Sequence, residues 1–324
     1  MKTIRLHAFG PPENLRYEEA PDPVPGEGQV LIRVEAAGVH LVDTMLRSGA
    51  AGGGPIPVPD LPTIPGREVA GRVEAVGPEV DAAWVGQRVV VHLGPVPGGY
   101  AELAVAKVES LYELPNHVDA AQAVAAIGTG RTTAGILSQA QLTAEDVVLI
   151  TAAAGGIGSY LVQAARNVGA TVVGLAGGPE KVQLVRDLGA HYAVDYRDPD
   201  WVTSLKADLG DQAVTVVLDG VGGENGQQAF ELLGIGGRVL MFGWSGGGPI
   251  QLTTEDLMAR GLTANWSIGP KMMPRLRELE RTALEETFSG RWNALVTTFP
   301  LSEAAAAHQA LEDRATTGKV VLIP

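Results

Sequence analysis

The sequence predicts an α/β protein that combines a doubly wound parallel sheet with a second, irregular β domain. Short β-like runs broken by Pro and Gly fill the first part of the chain, and from about residue 121 apolar strands alternate with helical patterns. The 324 residues are enough for two domains, since a domain takes roughly 100–200 residues. A hydrophobic fraction of 45% excludes a disordered chain.

Individual elements follow from local patterns. In the first part, 30–34 and 88–92 have the pattern of strands, whereas the glycines and prolines of 49–66 predict a loop. Asp119 is placed to cap an Ala-rich helix. Further along, we predict strands over 147–152, 171–176, 192–195, 214–219 and 238–243, a helix over 302–313 and a final strand over 319–323.

Charge and cysteine content limit the partners and the compartment. A net charge of −13 disfavours nucleic acid and anionic membranes, because both attract basic proteins, and it leaves small molecules as the expected partners. The absence of cysteine excludes disulfides, thiolate zinc sites and a cysteine nucleophile. Residues 1–7 lack the apolar region of a signal peptide, and no apolar run reaches about 18 residues. We therefore expect a cytoplasmic protein.

A glycine-rich turn after the first strand of the α/β part is the sharpest motif. The strand over 147–152 leads into Ala153-Ala154-Gly155-Gly156-Ile157-Gly158-Ser159, a dinucleotide fingerprint with Ala in its first glycine position. Its glycines allow close approach of a pyrophosphate and tight packing of helix on strand, while free N–H groups at the helix start meet the phosphate charge. An ordinary βα turn is the alternative. The residues predicted to bind the cofactor here are Ala154, Gly155, Gly156, Ile157 and Gly158.

The end of the second α/β strand bears on the choice between NAD and NADP. NAD sites usually carry a carboxylate there for the ribose 2′-OH, but this strand ends Ala176-Gly177-Gly178. Glu180 belongs to the next helix, and Lys181 beside it is placed to meet a 2′-phosphate. The sequence therefore predicts NADPH, with Gly177 and Lys181 as contacts.

In several segments taken together, the chain resembles the zinc-independent quinone oxidoreductases (zeta-crystallin-like) of the medium-chain dehydrogenase/reductase superfamily. The matching segments are 37–49, 65–71, 98–102, 153–159, 188–190, 219–223 and 317–321. The resemblance implies a GroES-like catalytic domain over 1–122 and 268–324, and a Rossmann domain over 123–267. It also implies NADPH-dependent reduction of quinones or α,β-unsaturated carbonyl compounds, and a homodimer. We place the dimer contact at the strand 262–267, because an exposed sheet edge invites pairing.

The resemblance also bears on metal binding. Zinc-dependent relatives place a cysteine where His40 stands and a histidine where Arg67 stands. A guanidinium at a ligand position repels a divalent cation, and His40 alone cannot build a tetrahedral site. We therefore predict no metal.

The resemblance assigns roles to further residues. Relatives often carry Asn at the His40 position and Tyr at the Met45 position, so His40 becomes the leading candidate to donate to the substrate carbonyl, with ordering of a ribose hydroxyl or a loop as the alternative. Water is then the expected source of the final proton. Asp43 is expected to hold the active-site loop, with helix capping as the alternative, and Thr133 to face the nicotinamide. The remaining predicted cofactor contacts are Tyr196 on the adenosine side, Phe242 and Gly243 at the nicotinamide amide, and Lys319 at a phosphate.

Two other functions stay open. An enoyl-thioester or polyketide-type enoyl reductase would share the architecture, but it often uses a Tyr donor where this chain has Met45. A non-enzymatic, crystallin-like dinucleotide-binding protein is the second alternative. The physiological substrate cannot be named from the sequence.

Overall fold

The computed structural model describes residues 1–50, 58–94 and 98–324, and the chain forms two compact units. Unit 1 contains Met1–Thr129 and Ala294–Pro324, and unit 2 contains Gly130–Asn293. Both divisions fall later in the chain than the predicted boundaries at 122/123 and 267/268. Part of the predicted loop 49–66 lies outside the described residues.

The first part of unit 1 consists mostly of strands. Its elements are β1 (Lys2–Leu6), β2 (Leu15–Glu19), β3 (Gln29–Val39), α1 (Leu41–Ser48), β4 (Glu68–Val76), β5 (Arg88–His92), β6 (Leu103–Lys107), β7 (Tyr112–Glu113) and α2 (Ala120–Ala125). The Asp119 side chain caps α2 by accepting from Ala121 N and Gln122 N. A π-helical turn over Ala126–Gly130 then leads into unit 2.

Strands and helices alternate through unit 2. Its elements are α3 (Arg131–Ala140), β8 (Val147–Ile150), α4 (Gly156–Asn167), β9 (Thr171–Ala176), α5 (Pro179–Asp187), β10 (Tyr192–Asp195), α6 (Trp201–Leu209), β11 (Val214–Asp219), α7 (Gly223–Glu231), β12 (Leu233–Met241), α8 (Thr254–Arg260), β13 (Thr263–Trp266) and α9 (Leu276–Phe288). Helix α9 belongs to unit 2 because it packs on α3. The packing is close, since a Cβ added at Gly135 of α3 would lie 3.3 Å from Leu279 of α9.

The chain returns to unit 1 through β14 (Val296–Pro300), α10 (Ala304–Glu312) and β15 (Lys319–Ile323). Strand β15 pairs antiparallel with β3, with Val320 opposite Val39, so the end of the chain completes the first sheet. Among the described residues, that sheet has the order β14-β15-β3-β4-β5-β7, with β6 also on β3. Strand β3 supplies Val30, Ile32 and Val34 to the core, as expected for alternate residues of a half-buried strand.

Unit 2 contains the predicted doubly wound sheet. In residues 130–293, all of them described, six parallel strands have the order β10-β9-β8-β11-β12-β13. On β8, Val148 and Ile150 enter one apolar cluster, while Val147 and Leu149 enter the other. The strand is therefore buried on both faces, as crossover helices on both sides require. The α/β fold class is confirmed.

Two of the differences from the expected element bounds have a clear local cause. Strand β12 begins at Leu233, earlier than the predicted 238, because the glycine-rich stretch after Leu233 pairs with β11 across an irregular register. Helix α10 is shorter than the predicted 302–313, since its first residues form a 3₁₀ turn over Leu301–Glu303. None of the helices among the described residues is long and apolar enough to cross a membrane.

Candidate active site

The glycine-rich turn lies between β8 and α4. Gly155 is the N-cap of α4, and no side chain caps the helix. The first-turn N–H groups of Gly156, Ile157 and Gly158 therefore have no intrahelical acceptor and present a positive end to an anion. Gly158 packs directly on the turn, where a Cβ would collide with the Ala152 carbonyl oxygen. The local geometry is that of a dinucleotide phosphate site.

The position of this turn in the sheet strengthens the assignment. Strand β8 lies between β9 on one side and β11 on the other, so the strand order reverses direction there. Ligands of open α/β sheets bind beyond the carboxyl ends of the strands at such a switch point. At the end of β11, the buried Asp219 accepts from the N–H groups of Val221 and Gly222 and from the Thr151 hydroxyl. These bonds fix the neighbouring loop.

The carboxyl ends of β9 and β10 form a second part of the site. Tyr196 follows β10, and a side chain on Gly177 would meet the Tyr196 hydroxyl at 2.6 Å. The Arg197 guanidinium also lies against these glycines, since its Nη1 would be 3.0 Å from a Cβ added at Gly178. The Asp195 carboxylate accepts from the N–H groups of Gly178 and Arg197. Glycine at 177 and 178 therefore lets the Tyr196 and Arg197 side chains pack against the end of β9.

Other predicted cofactor contacts lie in unit 2. Lys181 is half-buried in the first turn of α5, and Thr133 is buried on α3. Phe242 and Gly243 follow β12, where Phe242 N donates to Asp219 O and a Cβ at Gly243 would lie 2.6 Å from Gly220 O. Their roles toward a cofactor stay predictions.

In unit 1, His40 contacts two carboxylates. As the N-cap of α1 it lies 3.3 Å from Asp43 through Nδ1, and 2.7 Å from Glu68 through Nε2. Burial acts to lower the pKa of His40, but the Glu68 charge and the hydrogen bonds to both carboxylates raise it above its usual value. His40 thus has a carboxylate at each ring nitrogen, and these two carboxylates favour its protonated form. It therefore differs from the predicted role, because neither N–H is left to donate to a substrate carbonyl.

Asp43 is the hub of a buried cluster. It accepts from His40 N at 2.8 Å, from Arg67 Nη2 at 3.3 Å and from the Tyr100 hydroxyl at 3.3 Å. Burial acts to raise the pKa of Asp43, but the hydrogen bonds from His40 and the charges of His40 and Arg67 hold it well below its usual range. Asp43 also forms a capping box with His40 at the start of α1. Its contacts therefore match the alternative role given above, helix capping.

Glu68 and Lys319 form the other side of this cluster. Lys319 Nζ lies 2.9 Å from Glu68 Oε2, and the two side chains are 4% and 0% exposed. Burial acts to raise the pKa of Glu68, but the charges of His40 and Lys319 hold it well below its usual range. Lys319 therefore does not fit the predicted phosphate contact, because its ammonium is buried against a carboxylate of unit 1.

Tyr100 connects the cluster to His308 on α10. The Tyr100 hydroxyl lies 3.2 Å from His308 Nε2, and His308 Nδ1 has no hydrogen-bond partner among the described residues. Burial lowers the pKa of His308 to about 4, so the ring is neutral at pH 7. The tautomer with hydrogen on Nε2 satisfies these contacts best, since it donates to Tyr100 while Tyr100 donates to Asp43.

Sequence reasoning missed four of these residues. Glu68, Tyr100, His308 and Arg197 received no role, although Glu68 directly precedes the apolar Val69 and Ala70, and Arg197 directly follows the predicted contact Tyr196. A charged residue in a buried strand was the signal available for Glu68. Across the described residues, no group of three or more His, Cys, Asp or Glu side chains is arranged to hold a metal ion.

Known protein families match both parts of the chain. The family described as alcohol dehydrogenase GroES-like domain matches residues 26–116, and the one described as zinc-binding dehydrogenase matches 156–286. A quinone oxidoreductase from Sus scrofa is 35% identical, with 100% of this chain and 98% of the relative covered. A 2-haloacrylate reductase from a Burkholderia species is 34% identical, with 98% of each covered. The structure of Escherichia coli quinone oxidoreductase complexed with NADPH is 30% identical, has a TM-score of 0.86 and covers each chain fully.

Proposed function

The chain belongs to the quinone oxidoreductase family of the medium-chain dehydrogenase/reductase superfamily, and from this premise we propose that it is an NADPH-dependent reductase of quinones or α,β-unsaturated carbonyl compounds. The observation that carries the proposal is the uncapped start of α4 at the switch point of the unit 2 sheet. The relatives named quinone oxidoreductase and 2-haloacrylate reductase support this substrate range, since both names denote reduction of a conjugated system.

Residues of unit 2 would hold NADPH. The N–H groups of Gly156, Ile157 and Gly158 suit the pyrophosphate, and the Tyr196 hydroxyl and Arg197 guanidinium beside the end of β9 suit the adenosine 2′-phosphate. Lys181 in the first turn of α5 adds a second cation there. When bound, NADPH supplies the hydride.

Residues of unit 1 would supply positive charge toward the substrate. Hydride addition to a conjugated carbonyl places negative charge on its oxygen, which needs a fixed positive field. His40 and Arg67 are cations held in place by Asp43 and Glu68. His40 thus acts through its charge, because its N–H groups are engaged, and the final proton comes from water.

We also propose that the enzyme works without zinc. The two positions where zinc-dependent relatives have Cys and His carry His40 and Arg67, both cationic and both bound to Asp43. A divalent ion beside them would meet repulsion rather than ligands.

The proposed assembly is a homodimer through β13, the edge strand of the unit 2 sheet. Trp266 on this strand is exposed, and its ring lies 5.0 Å from that of the exposed Trp244. Exposed apolar edges favour pairing. Light scattering should return about twice the 33.7 kDa chain mass, and a monomer at micromolar concentration would refute the dimer. The cytoplasmic location stays a prediction.

A substrate panel tests the proposed activity. NADPH oxidation is followed with a quinone, an enone and an enoyl thioester in parallel, and heat-denatured protein serves as the control. We expect turnover with the quinone or the enone and little with the thioester. Turnover confined to the thioester would favour the enoyl reductase alternative, and none at all would favour a non-enzymatic dinucleotide-binding protein.

A further inference from the structure

Two buried polar side chains of unit 1, Tyr100 and His308, have no part in the proposed mechanism. They form a hydrogen-bond path to Asp43: His308 Nε2 lies 3.2 Å from the Tyr100 hydroxyl, and that hydroxyl donates to Asp43 Oδ2 at 3.3 Å. Tyr100 and His308 are both 0% exposed. Water cannot replace partners at this depth, so the path is a fixed part of the unit.

The direction of donation along the path follows from the charges. Burial acts to raise the pKa of Asp43, but the hydrogen bonds from His40 and the charges of His40 and Arg67 hold it well below its usual range, so the carboxylate only accepts. Burial raises the pKa of Tyr100, which therefore keeps its one hydrogen and gives it to Asp43. The Tyr100 oxygen then accepts from His308, whose neutral ring carries one N–H.

The end of the path is an oxygen that also serves His40. Asp43 Oδ2 accepts from His40 N at 2.8 Å and lies 3.3 Å from His40 Nδ1. Hydrogen bonds to one acceptor polarise it jointly, so each further donor leaves less negative charge for the others. The Tyr100 hydroxyl therefore competes with the His40 ring for Oδ2.

Packing holds the donor of this path in place. Arg47 of α1 forms an ion pair with Glu312 of α10 and donates to the Gly10 carbonyl at 2.9 Å. The rings of Tyr100 and His308 meet edge to face, with their centroids 5.8 Å apart and their planes at 86°. Helix α10 is thus anchored to α1, and the His308 ring stays directed at the hydroxyl.

We propose that Tyr100 and His308 are positioning residues that set the protonation of His40 through Asp43. His308 orients and polarises the Tyr100 hydroxyl, and the hydroxyl takes a share of the oxygen that would otherwise serve His40 alone. The inference rests on the proposed function for its effect on turnover, because that function uses the positive charge of His40. Its effect on His40 itself is a property of unit 1.

The other charges that act on His40 come from different elements. Glu68 of β4 favours the protonated form of His40, and Lys319 of β15 opposes it. Arg67 donates to Oδ1, the other oxygen of the shared carboxylate, at 3.3 Å. Removing the Tyr100 hydroxyl leaves all three in place, so a change in His40 would report the loss of that hydroxyl.

NMR titration of the His40 ring tests the proposal. Tyr100→Phe removes the competing donor, so the midpoint of His40 protonation should rise, by about 0.5 pH unit because the lost bond is long. Tyr17→Phe is the matched control, since Tyr17 is exposed on β2 of the same unit, and it should leave His40 unchanged. His7, an exposed residue observed in the same spectra, should keep its midpoint in both variants.

Variants at His308 separate action through Tyr100 from a general loss of structure. His308→Phe should raise the His40 midpoint by a smaller amount, and it should add nothing in the Tyr100→Phe background, because the path is already broken there. His308→Gln, which keeps a donor, should restore the wild-type midpoint. If the variants fail to fold, ¹⁵N spectra of the wild-type protein still decide, since they should show a neutral His308 with its hydrogen on Nε2.

The outcomes separate this inference from the proposed function. An unmoved His40 midpoint in Tyr100→Phe, additive shifts in the double variant, or a His308 hydrogen on Nδ1 would overturn the inference and leave the reductase proposal intact. NADPH oxidation with an enone, measured against pH, should have a midpoint that follows that of His40. A shift of His40 without a shift of this profile would uphold the path and contradict the role proposed for His40 in turnover. No NADPH oxidation with any substrate would overturn the proposed function itself.

Discussion

Glu68 is the residue on which the charge cluster depends most. It is fully buried between two cations, His40 and Lys319. The turn over Ala126–Gly130 covers it so closely that a side chain at Gly128 would collide with its carboxylate. Its charge is stable only because both cations are present, and the cations are stable only because Glu68 is ionised.

Glu68→Gln should therefore destabilise the fold. The substitution keeps the shape but leaves two buried cations without their carboxylate, which typically costs about 3–5 kcal/mol. Urea unfolding measures the change. Glu74→Gln on the same strand is the matched control, because Glu74 pairs with Arg33 at the surface and exposed pairs contribute less than about 1 kcal/mol. Equal losses of unfolding free energy in the two variants would show that burial between two cations does not set the contribution of Glu68.

His40 should make stability depend on pH in a defined direction. Its pKa in the folded protein lies above the unfolded value of 6.5, so its stabilisation is complete below about pH 6.5 and is lost as pH rises through the folded pKa. The difference in unfolding free energy between wild type and His40→Gln should be larger near pH 6 than near pH 9. His7→Gln, at an exposed pair with Glu18, is the control and should show a smaller change. A difference that grows with pH would show that His40 is buried neutral.

At the scale of elements, we propose that residues at the ends of β9 and β10 select the cofactor. No side chain projects from Gly177 and Gly178, so the Tyr196 and Arg197 side chains pack directly against them. Parallel neighbouring strands bring their carboxyl ends to one edge, so residues far apart in sequence share this site.

We expect NADPH to bind more tightly than NADH. Either substitution, Lys181→Ala or Arg197→Ala, should reduce this difference in affinity. Each charged contact should contribute roughly 1–2 kcal/mol, or about tenfold in affinity for NADPH, and little for NADH. Fluorescence titration with both cofactors measures this. Lys206→Ala, a surface lysine on α6, is the matched control. A variant that weakens the binding of NADPH and NADH equally would show that this site does not recognise the 2′-phosphate.

The junction of β8 and α4 requires glycine at position 158. An alanine there would collide with the Ala152 carbonyl, so the start of α4 would have to move away from the strand. Gly158→Ala should weaken NADPH binding and cost about 1–3 kcal/mol of stability. Gly248→Ala is the control, because its Cβ would enter open space. Thermal unfolding and NADPH titration measure both effects, and a Gly158→Ala variant with wild-type affinity would remove this turn from the cofactor site.

At the scale of the whole molecule, local sequence patterns were sufficient to predict the strands of unit 2. They were insufficient to predict the charge cluster of unit 1. The strands of unit 2 are short apolar runs between helices, so β9, β10 and β11 lie where the sequence predicts them. The contact between Glu68 and Lys319 instead depends on the pairing of β15 with β3 and of β3 with β4, which joins distant parts of the chain. Arg197 was overlooked because the search for a cofactor-selecting residue stopped at the end of β9.

The same pairing explains how the cations of unit 1 come together. Arg67 and Glu68 stand at the start of β4, His40 follows β3, and Lys319 begins β15. Adjacent strands thus bring three cations and a carboxylate to one edge of the sheet, with Asp43 from α1 completing the cluster. The central claim is that this cluster replaces a metal in a working NADPH-dependent reductase.

Metal-free turnover tests that claim most directly. NADPH oxidation with a quinone or an enone is measured on protein treated with a chelator, and elemental analysis of the same sample gives its zinc content. The account predicts undiminished turnover with far less than one zinc per chain. Stoichiometric zinc whose removal abolishes turnover, and whose return restores it, would contradict it.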